Sequence, residues 1–350
     1  MPLTSRAGRV SRSVWIAAVA VLLVAVLAVV LAATGAVDRW TGSEAGGGRD
    51  DVCAGAVSVG DLAGLLGGED VREGKRPDAG AGGGLAACAV ERDGDGVEFR
   101  IGWSDEPALA MRGLGRTGPL KPPAVPFGHG WDGVLVPGSD TARAAVLLAC
   151  EGGPGRTKGG GALVVTADVF RAGGGVRTPE RAGHFAEAVT RAARGAAGKW
   201  GCEAEFGKRV ERVNVPEAVW PDAVPVGKAR GACRALAPFA GELRAKAGVT
   251  GAVESPSGRA PLADCQLVDA KGESVYWLTT YHGPFVRGET KAEDPDTATF
   301  TCPRYHGPGR TALRPLRTVA GDASLRRTLL RTYTEGEVSA YGCGKPDYRR

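Results

Sequence analysis

The chain holds a single asparagine, Asn214, and a single glutamine, Gln266. Carbohydrate sites draw heavily on both amides, so their scarcity weighs against a lectin. No Cys-x-x-Cys occurs, which removes the spacing of zinc knuckles and thioredoxin-like redox pairs. There is no Gly-x-Ser-x-Gly for a hydrolase elbow and no His-Glu-x-x-His for a metalloprotease. Glycine-rich runs at 82–84, 159–161 and 173–175 lack the Gly-Lys-Ser/Thr that lets such a loop cradle phosphate. No catalytic residue, cofactor or metal-ligand set is therefore assigned. Charge of one sign is lacking too. The 44 basic residues face 39 acidic ones, and Arg6, Arg9 and Arg12 precede the first apolar run, leaving the remainder close to neutral. That balance gives no electrostatic footprint for nucleic acid.

What is present starts with that apolar run. Residues 14–33 carry no charge and are rich in Val, Leu and Ala. At about 1.5 Å rise per residue they span about 30 Å, the thickness of a bilayer core. Arginines stand only on the N-terminal side, and no acidic residue occurs before Asp38. The positive-inside rule then predicts a cytoplasmic tail at 1–13, a transmembrane anchor at 14–35 and a flexible tether at 36–50. Trp15 and Trp40 flank the span. Cleavage at Thr34-Gly35-Ala36 is the alternative, but the run exceeds the usual signal core, which favours an uncleaved anchor. The expected location is the cell membrane, single-pass, with the lipid bilayer as partner through 14–35 and the remainder outside.

Eight cysteines fall into two sets of four: Cys53, Cys88, Cys150 and Cys202, then Cys233, Cys265, Cys302 and Cys343. In an exported chain an even number reads as disulfides. The two halves share ordered matches. Gly153-Pro154-Gly155-Arg156-Thr157 is repeated at 307–311, Asp140-Thr141-Ala142 is echoed at 296–298, and Trp200-Gly201-Cys202 corresponds to Tyr341-Gly342-Cys343. Duplication follows, with domains at 51–205 and 231–350 and a proline-bearing linker at 206–230. Short helices are expected at 53–67 and 234–247, and longer ones at 178–199 and 322–340. Strands are expected at 86–92, 97–103, 144–150 and 162–170, then at 263–269, 274–281 and 299–302. A weaker strand near 311–319 contains Pro315, which suggests an edge. Cys88 and Cys265 lie in strands that follow helices, and the aromatic-Gly-Cys triplets close helices. This arrangement predicts first-to-second and third-to-fourth pairing in each half. The expected class is α+β: a transmembrane helix followed by two similar antiparallel-sheet-plus-helix domains, each with two disulfides.

Four histidines offer the only evident acid–base candidates. His282 and His306 each sit in Tyr-His-Gly-Pro, beginning at Tyr281 and Tyr305, and adjacent strand ends would bring the imidazoles together. His129 and Trp131 share an aromatic loop, 127–133. These six residues are the candidate binding residues; His184, inside a helix, reads as surface.

The cysteine spacing, the strand ending Leu147-Leu148-Ala149-Cys150 and the closing Trp200-Gly201-Cys202 resemble membrane-anchored extracytoplasmic proteins of streptomycete-type actinobacteria whose activity is uncharacterised. The resemblance implies architecture and carries over no functional residue. The function expected is a non-enzymatic binding or interaction module of the cell envelope, with an envelope protein or cell-wall component as partner. The alternatives are a scaffolding subunit of an envelope complex and a hydrolase using His282 or His306.

Overall fold

The computed structural model describes residues 51–68, 70–74, 84–104, 122–153, 161–170, 176–286, 296–305, 307–319 and 323–348. These belong to one compact unit that begins at Asp50.

Two seven-stranded sheets organise it, and every strand pair is antiparallel. The first comprises β1 (Arg72–Glu73), β2 (Ala86–Arg92), β3 (Asp95–Trp103), β4 (Val125–Pro126), β5 (Gly133–Pro137), β6 (Thr141–Ala149) and β7 (Ala162–Phe170), in the order β1-β2-β3-β7-β6-β5-β4. The second comprises β8 (Val224–Pro225), β9 (Val249–Glu254), β10 (Leu262–Asp269), β11 (Ser274–His282), β12 (Thr297–Cys302), β13 (Gly307–Pro315) and β14 (Asp347–Tyr348), in the order β8-β9-β10-β11-β13-β12-β14. The central quartets β2-β3-β7-β6 and β10-β11-β13-β12 therefore share one topology. Helices α1 (Val59–Leu66) and α2 (Pro179–Trp200) accompany the first sheet, and α3 (Ala240–Ala247) and α4 (Ala323–Tyr341) the second. The duplicated, disulfide-bridged α+β architecture read from the sequence is thus present.

The pairing is Cys53–Cys88, Cys150–Cys202, Cys233–Cys265 and Cys302–Cys343, as secondary structure suggested. Local chemistry explains why the partners meet. Thr178 caps α2 by accepting from the Arg181 amide, and Pro179 occupies the first turn where its missing N–H costs nothing. Gly201 and Gly342 take left-handed φ of 68° and 63°, turning the chain so that Cys202 and Cys343 fold back to the strand ends.

Each sheet packs one face on its helices. Along β6, Ala144, Val146 and Leu148 join the core formed with α2, which contributes Phe185 and Val189. In the second half Cys265, Leu267 and Leu278 pack against Leu325, Leu329 and Tyr333 of α4. The strand alternation then puts Ala145 and Leu147 on the opposite face of β6, where a third core draws on both halves: Val134, Leu147 and Val164 meet Leu262, Tyr281 and Phe285. Asp264, fully buried, accepts from the Ala124 amide at 2.9 Å and so bonds one half to the other.

Three expectations need correction or fall outside the described residues. The membrane-crossing helix is not supported: among the described residues no helix is long and apolar enough to cross a membrane. The longest, α2, carries Glu180, Glu187, Arg191, Arg194 and Lys199 opposite its buried stripe. The segments 1–13, 14–35 and 36–50 lie outside the described residues. The strand near 311–319 runs instead over Gly307–Pro315 and is central, between β11 and β12. Pro315 is tolerated because β12 has already ended, its last pairing being Thr297 with Ala312.

Candidate functional site

The structure gathers most of the sequence-selected residues at the junction of the two halves. His129 is exposed, with a left-handed φ of 56°, and its carbonyl accepts from the Lys208 amide. Trp131 is buried; its indole donates to the Lys208 carbonyl at 2.7 Å beneath the Arg194 guanidinium, 5.2 Å from the ring. It is a packing residue that fastens the 203–208 segment.

Its neighbour Asp132, absent from the candidate residues read from the sequence, is where the halves meet electrostatically. Its carboxylate accepts from Arg304 at 3.1 Å, from Arg259 at 3.4 Å and from the Tyr305 hydroxyl at 3.3 Å. Burial raises the Asp132 pKa, and Arg304 opposes that rise. Tyr305 also shares its proton with the Ala260 carbonyl at 3.3 Å. Burial, with the Asp132 charge beside it, drives the Tyr305 hydroxyl far above its ordinary range, so it stays a donor.

Behind Tyr305 lies His282, at the end of β11 and only 1% exposed. Its ring stacks on Tyr305 at 4.7 Å, contacts Tyr341 at 4.6 Å and meets Phe300 edge-on at 5.8 Å. Nδ1 is 3.4 Å from the Cys302 sulfur, and Nε2 has no hydrogen-bond partner. Burial lowers the pKa to about 3, so the imidazole is neutral at physiological pH. His282, Cys302 and Cys343 place candidate metal-binding atoms within 4.8 Å of one another. The two sulfurs are bonded to each other, however, and a disulfide offers a metal no thiolate. Tyr281 is buried in the third core, His184 is exposed on α2, and His306 lies outside the described residues. The expected meeting of His282 with His306 therefore falls outside the described residues.

A second cluster adjoins the first through Tyr341. The Tyr341 hydroxyl donates to the Gly258 carbonyl at 3.0 Å and receives the Ala260 amide at 3.3 Å. One helical turn earlier stands Glu337. The buried stripe of α4 runs Leu325, Leu329, Tyr333 and Glu337, so a carboxyl occupies a core position. Glu337 is 8% exposed, and its Oε2 has no hydrogen-bond partner. Burial raises its pKa to about 8, against the opposing charge of Arg234. A cavity of about 290 Å³ opens against it, walled by Ala232, Ala263, Ala340 and Tyr341 with Arg234 and Arg259 at its lining. Glu337 is the functional candidate that the sequence reading missed. The available signal was an acidic residue in phase with the apolar stripe of the closing helix.

The two clusters differ chemically. Around Asp132 every strong group has a partner, so the arrangement fastens. Around Glu337 a buried carboxyl on a cavity wall has one oxygen without a hydrogen-bond partner, so the arrangement has capacity left for a donor. No family model and no curated protein matches the chain. Among solved structures, the chain is similar to the crystal structure of DynU16, from the dynemicin biosynthetic locus, at 12% identity and a TM-score of 0.16. The match covers 73% of this chain and 82% of that one, and at such a TM-score it carries no argument.

Proposed function

We propose that this protein is a non-enzymatic binding module of an oxidising, extracytoplasmic compartment, and that its ligand enters the cavity beside Glu337. The observation that carries this reading is the unpartnered Oε2 of a buried carboxyl on the cavity wall. An unsatisfied buried polar group costs about 1–3 kcal/mol, which a ligand offering a donor would recover. Eight cysteines joined as four disulfides support a compartment that does not keep thiols reduced. The hydrolase alternative draws no support from His282. A general base must reach the proton it removes, and this ring is sealed among aromatic side chains and neutral far below physiological pH.

The test is a binding screen of the disulfide-intact protein against peptidoglycan fragments, polysaccharides and envelope proteins. It is run beside Ala340→Trp, whose indole would fill the cavity. A ligand retained by the parent and lost by the variant, with thermal unfolding unchanged, supports the proposal. Equal retention by both moves binding away from the cavity, and no retained ligand at all ends the binding reading. A stoichiometric protein captured by crosslinking in cells would favour a scaffold instead.

A further inference from the structure

Resting on that binding reading, the geometry points to a specific ligand chemistry: we propose that the Glu337 cavity takes a primary ammonium group, carried by a small alkylamine or by a lysyl side chain. Four features of the site favour a cation over an anion.

The first is which charges are already committed. Arg259 donates to both oxygens of Asp132 and to the Gly130 carbonyl, and Arg234 is exposed to water. Glu337 alone among the cavity's charged side chains is buried with an oxygen unpartnered. The second is position on the helix. Glu337 sits four residues before the last residue of α4, within the turn where the aligned peptide dipoles leave partial negative charge that attracts cations. The third is Tyr341, which adds an aromatic ring to the same wall; its hydroxyl is already occupied by Gly258 and Ala260, leaving the ring as what it offers. The fourth is size and lining. About 290 Å³ bounded by Ala232, Ala263 and Ala340 suits a short methylene stem ending in one polar head.

The pH response follows from the groups around the carboxyl. These are Arg234 from the 3₁₀ segment Ala232–Phe239, Arg259 from the loop after β9, and Tyr333 and Tyr341 on α4 itself. Burial pushes both tyrosine pKa values upward, so they remain neutral, and both arginines remain charged. Glu337, with a pKa of about 8, is thus the group whose charge changes between pH 7 and pH 8. An incoming ammonium selects the ionised carboxylate and expels its proton. Because only the ionised fraction is competent, affinity should rise about fivefold between pH 7 and pH 8.

The experiment records backbone amide spectra of the full, disulfide-intact chain during titration with n-butylammonium, butyrate and n-butanol, at pH 7 and pH 8. N-acetyl-lysine-N-methylamide forms a parallel arm that distinguishes a lysyl source from a free amine. Expected are shifts at Ser257, Gly258 and Ala340 with n-butylammonium or the lysyl probe, about fivefold tighter at pH 8. At least a tenfold loss is expected in Glu337→Gln, whose spectrum otherwise reports an intact fold. Should Glu337→Gln fail to fold, Ala340→Trp gives the same readout by occlusion. Butyrate binding in preference to n-butylammonium overturns the ammonium assignment and leaves the cavity reading standing. The same holds if neither ammonium probe perturbs the site while the screen above retains a ligand there. If no probe perturbs it and the screen retains nothing, both readings fall.

Discussion

Glu337 keeps its proton up to about pH 8 because burial disfavours the charged form by more than Arg234 favours it. In the unfolded chain the same carboxyl ionises near its ordinary value of 4.5. Between those two values the folded protein binds more protons than the unfolded one. The stability linked to this group is therefore complete below pH 4.5 and is lost as pH rises through 8. A displacement of that size corresponds to something on the order of 5 kcal/mol. Urea midpoints measured at pH 5 and pH 8.5 should fall further for the parent than for Glu337→Gln, which cannot titrate. Parallel slopes for the two proteins would mean that the carboxyl is solvated. The residue escapes a reading by composition because Glu337 is one of 39 acidic side chains. Only the helical phase of α4 sets it apart, and that phase acquires meaning once the sheet lies against it. Asp132 escaped for a different reason: its partners Arg259, Arg304 and Tyr305 stand more than a hundred positions away along the chain.

Elements were more legible than sites. The strands β2 and β7, the helix α2 and both aromatic-Gly-Cys turns follow from local pattern, because periodicity and a left-handed glycine are written within a few residues. The pentapeptide shared by the halves marked the duplication without fixing a common conformation: Gly307–Thr311 opens a central strand, whereas Gly153, the one described residue of the first copy, stands in a turn ahead of β7. Two glycines near opposite ends of α2 test how closely that helix is held. A Cβ on Gly183 would overlap the Glu211 carbonyl, while one on Gly198 would meet nothing within 4 Å. Gly183→Ala should cost about 2–3 kcal/mol, and Gly198→Ala should stabilise by about 0.5–1 kcal/mol. Chemical denaturation of the pair reads out both signs, and equal effects would show that the helix can shift to make room. The disulfides differ in exposure as well. Cys343 is half-buried, whereas the other seven cysteines are buried. Thiolate attack requires access to sulfur. Under limiting dithiothreitol, alkylation mapping should find Cys302 and Cys343 labelled before any other pair; earlier labelling elsewhere would contradict the burial pattern.

At the scale of the whole described unit, the third core decides how the halves behave. Leu147 from one sheet and Tyr281 from the other share it, so neither half can bury that face alone. Leu147→Ala is expected to cost about 2–4 kcal/mol and to lower the opening free energy of β11 amides as much as that of β6 amides. Native-state hydrogen exchange measures both, and an effect confined to β6 would show that the halves open independently.

All four cystines close loops within their own half, so nothing covalent joins the halves except the exposed backbone around Glu217–Trp220. A single protease cut there would turn one molecule into two separately stapled fragments without disturbing either disulfide set. Their reassociation would then be an ordinary bimolecular equilibrium, and dilution would report directly how tightly Asp132, Asp264 and the shared apolar faces hold the two copies of the fold together.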